Sequence, residues 1–111
     1  MLLRYIELHN QGVRSGDFSG MLNLFAPDAV MRFEGIAFGP LRGVEAIRDA
    51  FGTNPPDDEL CLITEPAEDV GSFAYSWRQA PGMRAGRLRL IERGSRIAEL
   101  IITREPIPHA G

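Results

Sequence analysis

The side chains that could do chemistry are few in this sequence and widely spaced. His9 lies on the apolar stripe of an N-terminal amphipathic segment, where a neutral imidazole can donate a hydrogen bond or carry a proton. The other histidine, His109, is close to the end of the sequence, so the two have no metal-ligand spacing. The segment GPLRG lacks the lysine of a phosphate-binding loop. The one cysteine, Cys61, lies in an apolar run and is expected to be buried and unreactive.

Hydrophobic periodicity predicts the elements that position these residues. Leu2, Ile6 and Val13 repeat at helical spacing near the start of the sequence. Pro27 is expected to end the second helix, because the residue before a proline disfavours helical backbone angles. Three helices are predicted, at 2–14, at 18–25 and from Gly43 to Phe51. Six strands are predicted, at 29–34, 36–41, 59–65, 71–79, 84–92 and 96–104. The first two strands are expected to be too short to contribute much to the sheet.

This order of elements predicts one α+β domain over residues 1–105, with a flexible C-terminal tail at 106–111. We expect a curved, mostly antiparallel sheet that forms a cone around an apolar pocket, with three helices packed on the concave side. The long strands carry apolar residues on both faces, as Leu100 and Ile102 alternate with Ile101. The outer face therefore needs a cover, and we expect a homodimer through it.

Two segments carry a resemblance to a known superfamily. They are SGDFSGMLNLFAPDAVMRFEG at 15–35 and GPLRGVEAIRDAF at 39–51. Together with the order of elements, they resemble the nuclear transport factor 2-like (cystatin-like) superfamily. Its members include steroid Δ-isomerases, limonene epoxide hydrolases and SnoaL-like polyketide cyclases. The resemblance covers nearly the whole chain and implies the cone-shaped fold, which hosts many chemistries and several proteins that are not enzymes.

The resemblance also implies two candidate catalytic residues. In the isomerases, a carboxylate near the end of the first strand moves a proton, while a tyrosine on the first helix helps to hold the oxyanion. The carboxylate position falls at Phe33 in a gapless match, or at Glu34 if one extra residue is accommodated before it. Only one of the two can face the pocket, since side chains alternate along a strand. The tyrosine position falls at His9, which makes Glu34 and His9 the candidate acid/base pair.

A third part of the isomerase site is missing from this sequence. The position of the late-strand acid falls near Gly86 or Leu88, and neither has a side chain that donates a hydrogen bond. The alternating Tyr75, Trp77 and Gln79 match cavity-lining positions, where they would stack against a flat apolar ligand or simply form core. The residues expected to line the pocket are Tyr5, Met31, Phe33, Tyr75, Trp77, Gln79, Leu88, Leu100 and Ile102.

The sequence therefore predicts a small-molecule pocket protein. It would catalyse acid/base chemistry without a cofactor or metal, as an isomerase, cyclase or hydrolase-like enzyme, on a small apolar substrate. The alternative is a non-catalytic module for ligand binding or dimerisation. A net charge of −3 argues against nucleic acid as a partner. No apolar run approaches the ~20 residues that span a bilayer, and we expect a cytoplasmic protein with no membrane partner.

Overall fold

The computed structural model describes residues 1–63 and 72–104. The helices are α1 (Leu2–Ser15), α2 (Ser19–Leu22) and α3 (Val44–Thr53). The strands are β1 (Phe25–Glu34), β2 (Leu41–Arg42), β3 (Leu60–Leu62), β4 (Ser72–Trp77), β5 (Arg84–Arg93) and β6 (Arg96–Arg104). The predicted tail at 106–111, His109 within it and the turn predicted at Pro66 lie outside the described residues.

The six strands form one open sheet in the order β2-β1-β6-β5-β4-β3. Every neighbouring pair is antiparallel except β1 and β6, which run parallel. The β5–β6 connection is a tight hairpin in which Gly94 has a positive φ of 65°, a conformation that glycine adopts without steric cost. The α+β class and the mostly antiparallel sheet are thus as predicted.

Strand β1 is longer than the sequence indicates. It begins at Phe25, where a helix was predicted, and α2 already ends at Leu22. Its pairing with β6 shifts register between Phe25 and Val30, and Pro27 lies exposed within that irregular stretch. A proline is tolerated at such a place because the missing N–H interrupts a ladder that is already broken. Strand β1 therefore lies inside the sheet between β2 and β6, so the expectation that it contributes little was wrong.

Strand β2 is shorter than predicted and contains only Leu41 and Arg42. Gly35 and Gly39 both have positive φ angles, of 85° and 73°, and so bend the chain into a loop over residues that were predicted to be extended. This loop turns back beside the end of β1.

The helices pack on one face of the sheet and enclose the core with it. The largest fully buried side chains come from both layers and are Tyr5, Phe25, Met21, Met31, Ile47, Leu88, Ile97, Leu100 and Ser76. Helix α1 approaches Phe18 so closely that a Cβ on Gly12 would lie 2.2 Å from its ring. None of the helices within 1–63 and 72–104 has the length and apolar character that crossing a membrane requires.

Candidate functional site

The inner face of the sheet, which faces the helices, carries a row of four apolar side chains across four strands. Phe33 lies opposite Ile102, Ile102 opposite Leu88, and Leu88 opposite Phe73. Directly opposed residues share a face, and three members of this inner row belong to or pack against the core. Leu88 is 1% exposed, whereas Phe73 is 46% exposed. The inner row is therefore most buried at Leu88 and ends in the exposed ring of Phe73.

Two of the predicted pocket residues lie deeper on the same face. Met31 is paired with Leu100, and both are completely buried in the core. Their side chains are enclosed by protein, so they offer a bound molecule no surface in this conformation. Met31 and Leu100 are core residues next to the inner row.

A chain of aromatic rings lies between this face and α1. Trp77 packs edge-on against Tyr75, with ring centroids 5.6 Å apart. The rings of Tyr5 and His9 are 6.1 Å apart, and those of His9 and Phe18 are 6.2 Å apart. Tyr75 and Tyr5 both belong to the hydrophobic core, which contains members of both groups of rings. These five residues, the aromatic chain, are buried except for Trp77, which is 36% exposed.

The polar groups in the aromatic chain are held neutral. Burial raises the pKa of Tyr5, and the nearby Tyr75 raises it further. Burial lowers the pKa of His9, while its hydrogen bond to Asn10 and the charge of Glu59 act in the opposite direction. Desolvation is the largest of these effects, so at neutral pH the site contains a phenol hydroxyl and an uncharged imidazole.

His9 is positioned by the residue that follows it. Its Nδ1 atom lies 3.0 Å from Oδ1 of Asn10. The Asn10 amide in turn donates to the carbonyl of Leu60 over 2.9 Å and accepts from its N–H over 2.8 Å. Helix α1 is thereby fixed to β3 at the level of His9.

The other candidate catalytic residue, Glu34, lies at the end of β1 with an exposed side chain. The preceding Phe33 packs against the core and against Phe38, with ring centroids 5.0 Å apart. Of the two alternatives, it is therefore Phe33 that faces inward. Glu34 and Phe33 line a cleft of about 390 Å³ whose described lining residues are all at 32–40. His9 belongs to α1, is buried, and does not line that cleft.

Gln79 lies away from the inner row, in a polar cleft of about 450 Å³ beside the end of α1. The backbone N–H of Gln79 donates to the carboxylate of Asp58. Glu59, in the same cleft, forms ion pairs with Arg14 and Arg78 over 2.8 and 2.7 Å. Charged groups dominate this surface. Gln79 thus lies among charged residues, unlike Tyr75 and Trp77, with which it alternates in sequence.

Sequence reasoning missed three aromatic residues of the site and misjudged the cysteine. Phe73 alternates with Tyr75, which was the available signal, whereas nothing local indicated that Phe18 and Phe38 would contact His9 and Phe33. Cys61 is exposed, although it was expected to be buried. It is the middle residue of β3, which lies at the sheet edge, and alternation turns it away from the side of Leu60. Among the described residues, no His, Cys, Asp or Glu side chains cluster as a metal site would require.

Comparisons with known proteins support the fold and no particular activity. No family model and no curated protein matches the chain. A nuclear transport factor 2-like protein of unknown function from Burkholderia xenovorans LB400 is 15% identical, with a TM-score of 0.65, over 99% of this chain and 88% of that one. The Δ5-3-ketosteroid isomerase from Mycobacterium sp. is 24% identical, with a TM-score of 0.56, over 90% of this chain and 89% of that one. A computationally designed 17-OHP binder is 18% identical, with a TM-score of 0.56, over 90% and 88% of the two chains.

Proposed function

From the nuclear transport factor 2-like fold that this chain has, we propose that it binds a small, flat, largely apolar molecule against the inner row. The observation that carries the proposal is the exposed ring of Phe73 on a face that the helices otherwise cover. Small-molecule sites are typically apolar walls with few polar groups, and this face has that composition. The isomerase and the designed 17-OHP binder share the fold with this chain, which also favours a flat apolar ligand.

The polar part of the ligand would be recognised by the aromatic chain. Tyr5 and Tyr75 contribute hydroxyl groups and His9 an uncharged imidazole. All three are buried, so a ligand would reach them only when the aromatic chain opens at Trp77, its exposed member. A buried ligand group that matched them would gain hydrogen bonds in a setting of low polarity, where an unmatched group is costly. This arrangement would orient a ligand as well as hold it.

We favour binding over turnover for this site. The inward position at the end of β1 is Phe33, which cannot transfer a proton, and the carboxylate of Glu34 is exposed to solvent. Acid/base catalysis by His9 and Glu34 would need both groups to reach one substrate, directly or through water. His9 is a buried residue of α1 and Glu34 is exposed at the end of β1, a placement that supports the non-catalytic alternative.

Fluorescence tests the binding proposal directly, because Trp77 is the one tryptophan in the sequence and belongs to the aromatic chain. Titration with steroids, terpenes and aromatic polyketides should include compounds that change its emission and raise the melting temperature by mass action. Phe73→Ala should weaken that binding about tenfold, because truncating a side chain that anchors a ligand costs over 1 kcal/mol. The stability of Phe73→Ala should change little, since the side chain is already half exposed.

Ile91→Ala is the matched control, because Ile91 is 40% exposed and lies on the opposite face of the sheet. It should leave ligand affinity unchanged. Equal losses in the two variants would contradict binding at the inner row. Unchanged emission and melting across the whole set of compounds would contradict ligand binding altogether.

A second candidate function is self-association through the outer face of the sheet. Val30 and Ile101 are partly exposed on that face, and Ile91 projects from it. Apolar side chains on the solvent side of a sheet are typical of an interface. The ion pair between Arg32 and Glu99, with N and O atoms 2.5 Å apart, lies among them and would be part of such a contact.

A further inference from the structure

The orientation of the Asn10 side-chain amide is fixed by the backbone of a single residue. Its Nδ2 donates to the carbonyl of Leu60, and its Oδ1 accepts from the N–H of the same residue, over 2.9 and 2.8 Å. A backbone N–H can only donate and a carbonyl can only accept. A flipped amide would place its NH₂ group against the N–H of Leu60 and its oxygen against the carbonyl of Leu60, and neither pair can form a hydrogen bond. The oxygen must therefore be the atom that faces Leu60 N.

The same oxygen determines where His9 carries its proton. Nδ1 of His9 lies 3.0 Å from Oδ1 of Asn10, and an amide oxygen has no hydrogen to give. Nδ1 must therefore be the donor. Oδ1 then accepts two hydrogen bonds, from Leu60 and from His9, which its two lone pairs allow. A neutral imidazole has one N–H, so Nε2 is left with a lone pair.

We propose that Asn10 is a positioning residue that holds neutral His9 in the Nδ1–H tautomer, so that Nε2 is a hydrogen-bond acceptor within the aromatic chain. The hydrogen bonds of the described residues use Nδ1 only. The rings of Tyr5 and Phe18 both pack against the imidazole, with centroids 6.1 and 6.2 Å from it. A tautomer is normally set in this way, by the hydrogen bond that the other nitrogen makes.

This tautomer specifies a class of ligand, a consequence that rests on the proposed binding function. A lone pair on Nε2 accepts from a hydroxyl group and cannot donate to a carbonyl. The preferred ligand is therefore a flat apolar molecule with a hydroxyl, such as a phenol or a sterol. A compound of the same shape whose hydroxyl is methylated would leave Nε2 without a partner.

Nitrogen NMR of the uniformly ¹⁵N-labelled protein tests the tautomer without any ligand. At a pH where His9 is neutral, long-range proton–nitrogen correlations should show Nε2 as the unprotonated nitrogen, coupled to both ring protons. The His9 signals are identified by their loss in His9→Gln, since His109 is the other histidine. A protonated Nε2 in the unmodified protein would overturn the proposal.

Two substitutions of Asn10 separate positioning from general support of the fold. Asn10→Asp keeps an acceptor oxygen toward Nδ1 and should keep the tautomer, even though it loses the donor to Leu60. Asn10→Ala removes the acceptor and should give a mixture of tautomers or the Nε2–H form. An unchanged tautomer in a folded Asn10→Ala protein would overturn the assignment of Asn10. If that variant does not fold, loss of the Nδ1–H tautomer in Asn10→Asp would overturn it instead.

The ligand preference is tested with a phenol-bearing flat compound and its methyl ether, using Trp77 emission. The phenol should bind about five- to tenfold more tightly, the worth of one hydrogen bond, and His9→Phe should remove the difference. Equal affinities would overturn the preference while leaving the binding proposal intact. If neither compound nor any other in the set binds, both the preference and the binding proposal are wrong, whereas the nitrogen spectrum still decides the tautomer.

Discussion

The imidazole of His9 owes its charge state to its surroundings rather than to its place in the sequence. Its ring packs against Tyr5 and Phe18 and is 3% exposed. Burial lowers the pKa of His9 from its ordinary value of 6.5, more than Asn10 and Glu59 restore it. The unfolded chain, in which the ring is hydrated, binds this proton more readily than the folded protein does.

The free energy of unfolding should therefore fall on acidification through the histidine range. The pKa of His9 is lower in the folded protein than in the unfolded chain. The contribution of neutral His9 to the free energy of unfolding is therefore fully present above about pH 6.5 and is lost as the pH falls through the pKa of folded His9. The loss is at most about 1.4 kcal/mol per pH unit. Urea denaturation of the unmodified protein and of His9→Gln at about pH 7.5 and 5.5 measures it. An equal decrease in the free energy of unfolding of the two proteins would show that His9 is not the cause.

Single residues of the site differed in how far sequence could predict them. The apolar stripe of α1 was enough to single out His9, because helical periodicity is local, but it did not show what packs against the ring. The choice between Phe33 and Glu34 stayed open, because it depends on register with Ile102 of a strand far along the chain. A shift of one residue exchanges the two faces of a strand. That register is a tertiary property and has no local signal.

At the scale of elements, the contact between α1 and the segment before α2 depends on the missing side chain of Gly12. A Cβ there would lie 2.2 Å from the ring of Phe18. That ring cannot move aside easily, since it is buried and also packs against His9 and Phe51. The close approach of these elements therefore requires glycine.

Gly12→Ala should lower the free energy of unfolding by about 1–2 kcal/mol. Overpacking costs about 1–3 kcal/mol, of which the better helix propensity of alanine recovers under 1 kcal/mol. Gly52→Ala in α3 is the control, because nothing lies within 4 Å of the added Cβ. It should be neutral or stabilise by up to about 1 kcal/mol. Thermal and urea denaturation compare the two, and a Gly12→Ala protein as stable as Gly52→Ala would disprove the packing argument.

The elements that were predicted well are those with a strong internal pattern. The first helix was predicted at 2–14 and is Leu2–Ser15, and the last strand was predicted at 96–104 and is Arg96–Arg104. Strand β1 was not, because its first residues lie in an apolar segment that also fits a helix and contains Pro27. Pairing with β6 makes that segment a strand, and this partner is distant in sequence.

At the scale of the whole molecule, the two faces of the sheet have different roles in our proposals. The inner face is for a ligand and the outer face for a second copy of the chain. The fold itself could be predicted because the order of elements and the two resembling segments span most of the chain. Oligomeric state could not be settled in this way, since apolar residues on an outer face only indicate that something covers them.

Light scattering coupled to size exclusion should report a mass twice the 12.3 kDa of the single chain. Ile91→Asp should yield monomer, because it places a charge in the proposed outer-face contact. Leu3→Asp, at a residue that is 70% exposed on α1, should leave the dimer intact. A monomer mass for the unmodified protein at high concentration would rule out the dimer.

The parallel pairing of β1 with β6 also matters while the chain is being synthesised. Strand β1 leaves the ribosome before β6, so the partner on one of its sides is not complete until Arg104 has been translated. Until then a strand of 10 residues, several of them apolar side chains destined for the core, has an unpaired edge, a state that invites aggregation. The elements before β6 should therefore remain unfolded on the ribosome, or bound by a chaperone, and the domain should fold only after β6 has left the ribosome.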